Sequence, residues 1–415
     1  MRLMGPIGPM RLIGPMGLMG LIGLMGLASC SGEQDGPGVQ EWEMAIETSM
    51  LVRQFEEAET TQNEEADAVT RAWDPTPYYL YDELYEPGLH YTSLTGRSID
   101  AFLTKGTDAT LHGRLRRKGD GKWKLTLNFE PTLSSIETYY VYGFIPGDAA
   151  DNATIDLLPE SSDYAAGARL TIHGMKAIAN DPCVIIGAKE GPNENSDNGL
   201  KAGDFAFVLD ARQHEEGGVS VISPNYLYLL FDHLYSALCI SMKVHYDYAA
   251  LRTIKLKKIE LLTYVGASIS KEKSDVTITL VPNAEGQNPI TSLEFTPTGN
   301  DASAAAIFTS SDEAGVTLST EYSSYMGHFM PANVSRLDVT CTYDVYDKNV
   351  TTEHPDGNLI RKDCTATNRL EIHELFSGQS TTIRGRRYNV KLTIEPTYLY
   401  VLSEPDLDNP TVTVE

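Results

Sequence analysis

The chain has 415 residues, with 57 acidic against 33 basic side chains and a formal net charge of −24. That acidity argues against nucleic acid and anionic membrane surfaces as partners and suits a protein kept soluble outside the cell. The length is too great for one sandwich and fits two domains with cores of their own.

The chain opens on an apolar run whose only charges before Glu33 are Arg2 and Arg11. A charged start, an apolar stretch and small residues at the cut make a secretory signal. The run closes with Leu27-Ala28-Ser29-Cys30, which resembles the bacterial lipobox. The resemblance implies a signal peptide over residues 1–29 and acylation of Cys30 (palmitate chemistry). The new N-terminus would then be held in the outer membrane by lipid, not by a protein span. Residues 12–32 carry no charge and are long enough for a membrane helix. Glycine at 14, 17, 20, 23 and 26 and Pro15 argue against one. The units MRLMGPIGP, MRLIGPMGL and MGLIGLMGL form a repeat, which leaves Met1 and Met10 both open as starts.

Residues 30–71 form a separate segment. After the flexible leader SGEQDGPG, Trp42, Met44, Ile46, Thr48, Met50 and Val52 alternate with Glu41, Glu43 and Glu47. Period-2 alternation predicts a half-buried strand. An amphipathic helix is the competing reading, because Ala, Glu and Met favour helix. The linker EEAETTQNEEADAV is too polar to pack, and it ends at Thr70-Arg71-Ala72.

From residue 72 onward the pattern is mainly β. Trp123 to Phe129 alternates cleanly, and the turn GDGK pairs it with HGRLRR. Tyr139 to Pro146 is a dense run of β-formers that ends at a Pro-Gly turn. Leu170 to Ile172, Val184 to Ile186 and Phe205 to Leu209 follow as short strands. The stretch 211–225 reads as a junction, which divides the chain into domains of 72–218 and 219–415. Beyond it, Tyr226 to His233 is a strand. Leu238, Ile240, Met242 and Val244 then share one face. Apolar parity flips at Lys257-Lys258, the mark of a β-bulge. Val276 to Leu280, Leu337 to Val345, Tyr388 to Ile394 and Thr411 to Glu415 complete the strands. Long helical periodicity is absent, so the fold class is all-β, as two antiparallel β-sandwiches.

A lipobox, a first strand and then Thr-Arg-Ala resembles the fimbrillin family, the fimbrium subunits of Gram-negative anaerobes. Three later stretches carry the same resemblance: YYVYGFIPG, the pair FDHLYSALCISMKVHY and IKLKKIEL, and the strand from Gly385 through Tyr388 to Ile394. The resemblance implies two transthyretin-like domains and surface exposure in a fimbrium. It also implies removal of the first strand by an Arg-specific protease and polymerisation with other fimbrial subunits by strand exchange. The cut would fall between Arg71 and Ala72, with Arg53 as a protected alternative. The exchanged strand would present Trp42, Met44, Ile46, Met50 and Val52. A host or bacterial surface receptor would be the adhesion partner. Pro405 and Pro410 restrict pairing of the tail, so a tip or accessory subunit competes with a stalk subunit.

No enzyme motif and no metal-ligand spacing is present, and no cofactor is expected. Asn193 to Gly199, with Asp204 beyond, resembles a calcium loop with its glycine one place late. A solvated loop is the simpler reading. His233 closes an apolar run and reads as a structural hydrogen-bonding residue. Cys341 and Cys364 stand on successive strands; a disulfide and buried free thiols are both open. A surface glycan-binding lipoprotein of a polysaccharide-uptake system is the alternative function.

Overall fold

The computed structural model describes residues 42–53, 55–60, 78–80, 98–104, 111–117, 123–127, 136–145, 150–158, 164–176, 181–191, 199–210, 212–216, 219–222, 225–398 and 405–414. Cys30, Arg71, Ala72 and the calcium-like residues Asn193 to Asn198 lie outside the described residues. All described residues fall within one compact unit, Gln40–Glu415. Among them, no helix is long and apolar enough to cross a membrane.

In chain order the first strands are β1 Trp42–Arg53, β2 Glu56–Glu57, β3 Tyr78–Leu80, β4 Ser98–Thr104, β5 Leu111–Arg117, β6 Trp123–Leu127, β7 Ile136–Ile145, β8 Asn152–Leu157 and β9 Ala168–Lys176. There follow β10 Cys183–Gly191, β11 Ala206–Asp210, β12 Gln213–Glu216, β13 Val219–Ile222, β14 Asn225–His233, β15 Tyr235–Val244, β16 Arg252–Val265, β17 Ser268–Ile269 and β18 Lys271–Leu280. The last are β19 Ile290–Asp301, β20 Ala305–Thr309, β21 Val316–Thr317, β22 Ser323–Pro331, β23 Arg336–Asp347, β24 Leu359–Glu371, β25 Arg386–Tyr398 and β26 Pro405–Val414. The fold is all-β, as the alternating pattern predicts. The α-helices among the described residues are two short ones, α1 Tyr246–Leu251 and α2 Ile372–Leu375.

The first sheet runs β10-β14-β1-β6-β5-β4-β7-β11, with β3 also paired to β1. Strand β7 pairs with β10 as well, at Ile145 with Cys183 and Phe144 with Val184, so this sheet closes on itself. The hairpin β5–β6 stands where the GDGK turn places it, with Arg117 opposite Trp123. Close strand approach fixes Gly143 inside the run YYVYGFIPG: a Cβ there would sit 2.1 Å from the Asp100 carbonyl oxygen. A second sheet, β19-β18-β9-β8, packs Leu170, Ile172, Val276 and Ile278 into the same core as Phe144, Phe207 and Phe231.

The second core lies between two facing sheets. One is β2-β25-β15-β22 with β26 on β25; the other is β17-β16-β23-β24 with β20 and β21 on β16. Leu238, Ile240, Met242 and Val244 from β15 meet Ile254, Leu256, Ile259 and Leu261 from β16 in this core. The parity flip in β16 is a bulge: its register with β23 shifts between Leu256 and Lys258. The extra residue, Lys257, turns outward and its Nζ meets Asp363 at 2.6 Å and Asp344 at 3.3 Å.

The two cores do not part where the chain does. Strand β14 and the hairpin β18–β19 lie beyond residue 218, yet both belong to the first core. Alternation marks which face of a strand is apolar but not which sheet receives it. Cys341 and Cys364 are free thiols. The register of β23 and β24 sets Cys364 opposite Tyr343 and Cys341 opposite Ala366, so the two cysteines are offset.

Candidate functional site

The segment from Trp42 to Thr60 runs through both cores, and β1 is an interior strand of its sheet. It lies parallel to β14 from Ile46 opposite Asn225 to Val52 opposite Phe231. Along its other edge it pairs with β6, Trp42 opposite Leu127 and Met44 opposite Leu125, and then with β3 over Leu51–Arg53. Of the residues expected to be exchanged, Trp42, Met44, Ile46 and Met50 are placed on β1 by this register. Val52 is fully buried in the first core. Trp42–Arg53 is thus a strand and not the competing helix.

The end of β1 is held by a buried polar cluster. His233 Nε2 donates to the Arg53 carbonyl oxygen at 2.5 Å, and Phe55 stacks on the imidazole with ring centroids 3.6 Å apart. His233 Nδ1 lies 2.8 Å from Asp181 Oδ1 and 3.4 Å from Cys183 Sγ. Burial works against the charged ring, but the Asp181 and Asp232 carboxylates and the bond to the Arg53 carbonyl together outweigh it, and the His233 pKa is raised. Next to it, buried Asp232 accepts from Arg384 Nη1 at 2.6 Å, Asn288 Nδ2 at 2.7 Å and its neighbour's amide at 2.9 Å. Arg53 Nη1 stands 3.9 Å from the same carboxylate. Burial opposes the charge of Asp232, yet the Arg384 and Arg53 guanidiniums win and hold its pKa below the ordinary carboxylate value. The other end of the Arg53 guanidinium pairs with Glu56 Oε1 at 2.8 Å.

The chain then crosses to the second core. Glu56 N donates to the Gly385 carbonyl at 2.8 Å, and Ala58 N donates to the Arg387 carbonyl at 2.9 Å. Glu57 pairs with Arg387 and accepts from Asn389 Nδ2 at 2.6 Å. Strand β2 therefore occupies the edge of β25 at Arg386 and Arg387. The tail strand β26 takes the same edge further along, from Leu392 opposite Val414 to Tyr398 opposite Pro405. Tyr388 to Lys391 lie between these two occupants.

The His–Asp–Cys cluster is not arranged for catalysis. Asp181, Cys183 and His233 are each 0 % exposed. Asp181 and Cys183 both face Nδ1, while Nε2 faces a backbone carbonyl. A relay needs the acid on one ring nitrogen and the nucleophile on the other. The expected structural hydrogen bonds of His233 are present. Asp181, Cys183, Asp232 and Arg384 carry no sequence signal, because their contacts join positions 50 to 152 residues apart. Asp204, the last residue of the calcium-like stretch, pairs with Lys189 at 2.9 Å.

No protein-family model matches the chain, and no curated protein matches it. The solved structures it is similar to include cell-adhesion and fimbrial proteins. One is a candidate cell adhesion protein from Bacteroides fragilis, at 11% identity over 90% of this chain and 97% of that chain, with a TM-score of 0.38. Another is a fimbrial protein from Bacteroides vulgatus, at 13% identity over 77% of this chain and 92% of that chain, with a TM-score of 0.33. A third is the fimbrial anchor protein Mfa2 from Porphyromonas gingivalis, at 9% identity over 88% of this chain and 95% of that chain, with a TM-score of 0.22. At such scores the likeness assigns this chain neither a role nor a partner.

Proposed function

We propose that the chain is a subunit of a cell-surface fimbrium that supports adhesion. It is exported as a lipoprotein acylated at Cys30, cut after Arg71, and assembled when a neighbour's strand replaces its own first strand. The observation that carries this reading is the position of β1. It is an interior strand, so its departure leaves open edges on β14, opposite Ile46–Val52, and on β6, opposite Trp42–Ala45, and an apolar slot beside Phe231. Unpaired interior edges are templates for another chain's strand, which would supply main-chain hydrogen bonds and alternate side chains.

The tail favours a tip or accessory role over a stalk role. Strand β26 is paired at home along β25, and Pro405 and Pro410 both lie within it. A strand committed there is poorly placed to serve a neighbour. An end subunit that accepts a strand without giving one fits this arrangement, because open head-to-tail donation is what extends a filament. The test is co-incubation of the cut chain with purified fimbrial subunits. Capture of a partner strand, with loss of the first-strand fragment, is the expected result. A cut chain that keeps its fragment and binds no subunit overturns the reading.

A further inference from the structure

We propose that Asp181, Cys183 and His233 bind one zinc ion, with Cys183 Sγ, His233 Nδ1 and the Asp181 carboxylate as its three protein ligands. The three ligand atoms lie within 4.8 Å of one another, and all three residues are buried. The ligand types are those zinc takes: thiolate, imidazole and carboxylate.

An unmet need for a partner points to an ion. Asp181 Oδ2 is enclosed, and among the described residues no donor reaches it. A buried carboxylate oxygen without a donor is costly, and native structures rarely leave one. A cation held at the Asp181 carboxylate supplies the missing partner.

The imidazole is already set for ligation. Its Nε2–H donates to the Arg53 carbonyl, which leaves Nδ1 as the donor atom facing Asp181 and Cys183. Zinc-bound histidines typically anchor their second ring nitrogen in this way. The 3.4 Å between Nδ1 and Cys183 Sγ is close to the roughly 3.5 Å expected for tetrahedral zinc bonds of about 2.0 and 2.3 Å. The 2.8 Å between Nδ1 and Asp181 Oδ1 would have to open by about 0.5 Å. That gap holds a proton when no ion is bound.

The charges balance. Without zinc, the imidazolium offsets the Asp181 carboxylate, and the Cys183 thiol donates to the Asp181 carbonyl at 3.4 Å. Zinc displaces the Nδ1 proton and the thiol proton. The thiolate and carboxylate then offset the divalent charge, as a buried site requires. The ligands come from the start of β10 and the end of β14. The two strand ends are also joined by Leu234 N donating to the Pro182 carbonyl at 2.8 Å. The ion would fasten that corner of the first core and, through Nε2–H, the last residue of β1. None of this depends on the fimbrial reading.

The full chain in detergent is incubated with zinc, separated from free ion by gel filtration and assayed by plasma mass spectrometry. One zinc per chain is expected, falling to background in Cys183→Ser and His233→Gln. Cys239→Ser, which alters a buried cysteine outside the cluster, should keep it. Should the variants fail to fold, cobalt(II) added to the zinc-free unaltered chain decides. A thiolate-to-cobalt charge-transfer band with strong visible absorption supports the site. A folded chain that retains no zinc, zinc that survives Cys183→Ser, or bound cobalt without a thiolate band overturns it.

Discussion

The Arg53 carbonyl oxygen accepts a hydrogen bond from His233 Nε2 at 2.5 Å, across 180 positions of sequence. Around that bond, the Arg53 guanidinium reaches Glu56 and Asp232, and Phe55 covers the imidazole. A protease needs an extended, accessible segment about the bond it cuts. At Arg53 the carbonyl oxygen and the guanidinium are both engaged, and Phe55 is stacked on the imidazole. A trypsin-like protease at limiting dose should therefore release Ala72 as a new N-terminus before Gln54. N-terminal sequencing over a time course checks this, and Gln54 appearing first would contradict it.

Phe231 lies opposite Val52 and is fully buried in the first core. Truncating a buried aromatic removes its transfer energy and leaves a cavity. Phe231→Ala should lower stability by about 3–5 kcal/mol in urea unfolding. Ile136 is half exposed at the start of β7 in the same sheet, and Ile136→Ala should change it by about 0.5 kcal/mol or less. Equal effects at the two positions would show that β14 is not packed as described.

Much of the second core was legible in the sequence, and less of the first. The bulge at Lys257 could be read because an inserted residue flips apolar parity, and parity is a local property of the chain. The strand nature of Trp42–Arg53 was legible for the same reason. Its parallel pairing with Asn225–Phe231 was not, since nothing in an alternating run specifies a partner or a direction. Val276 to Leu280 reads as a strand but not as part of the first core, and its hairpin partner Ile290–Asp301 gives no clear alternation. Asp181 and Cys183 were invisible as a cluster with His233, because the start of β10 and the end of β14 meet only once the two strands have paired.

Acid should loosen the turn between β23 and β24. The Asp347 carboxylate accepts from the Asn358 amide at 2.7 Å and the Asn349 amide at 3.0 Å. These bonds, led by Asn358, lower its pKa from 3.8 to about 2. A depressed folded-state value stabilises the fold above the unfolded pKa, and that gain is lost as pH falls through the folded one. Asp347→Asn should thus be less stable than the parent at pH 5, and the difference should close between about pH 4 and pH 2. Urea midpoints at both ends of that window measure it. A difference unchanged at pH 2 would mean the carboxylate charge is not what holds the turn.

Membrane retention should depend on one atom, the Cys30 sulfur. Metabolic labelling with a fatty-acid analogue should mark the parent chain and leave Cys30→Ala unmarked and unretained. Label on the variant would place the lipid elsewhere or abolish the lipoprotein reading.

Activation should separate cutting from release. A break after Arg71 severs none of the contacts that hold β1: the pairing with β14 and β6, the buried Val52 and Phe55, the bond to His233 and the crossing of β2 onto β25. Each buried side chain of that size is worth about 1.5–3 kcal/mol before entropy losses. The nicked chain should therefore keep its first strand and stay monomeric on its own. A neighbour's strand has to enter beside β14 as β1 leaves, so exchange should be slow and should depend on partner concentration. Once the Trp42–Thr60 segment is gone, the edge of β25 at Arg386 and Arg387 is free as well, which extends the acceptor into the second core. Arg71→Ala should block cutting, exchange and incorporation together. Electron microscopy of fimbriae and N-terminal sequencing of the incorporated subunit read the outcome. Native fimbriae that carry the intact chain, with Ala72 never found as an N-terminus, would remove the cut from the mechanism and leave a lipid-anchored subunit in its place.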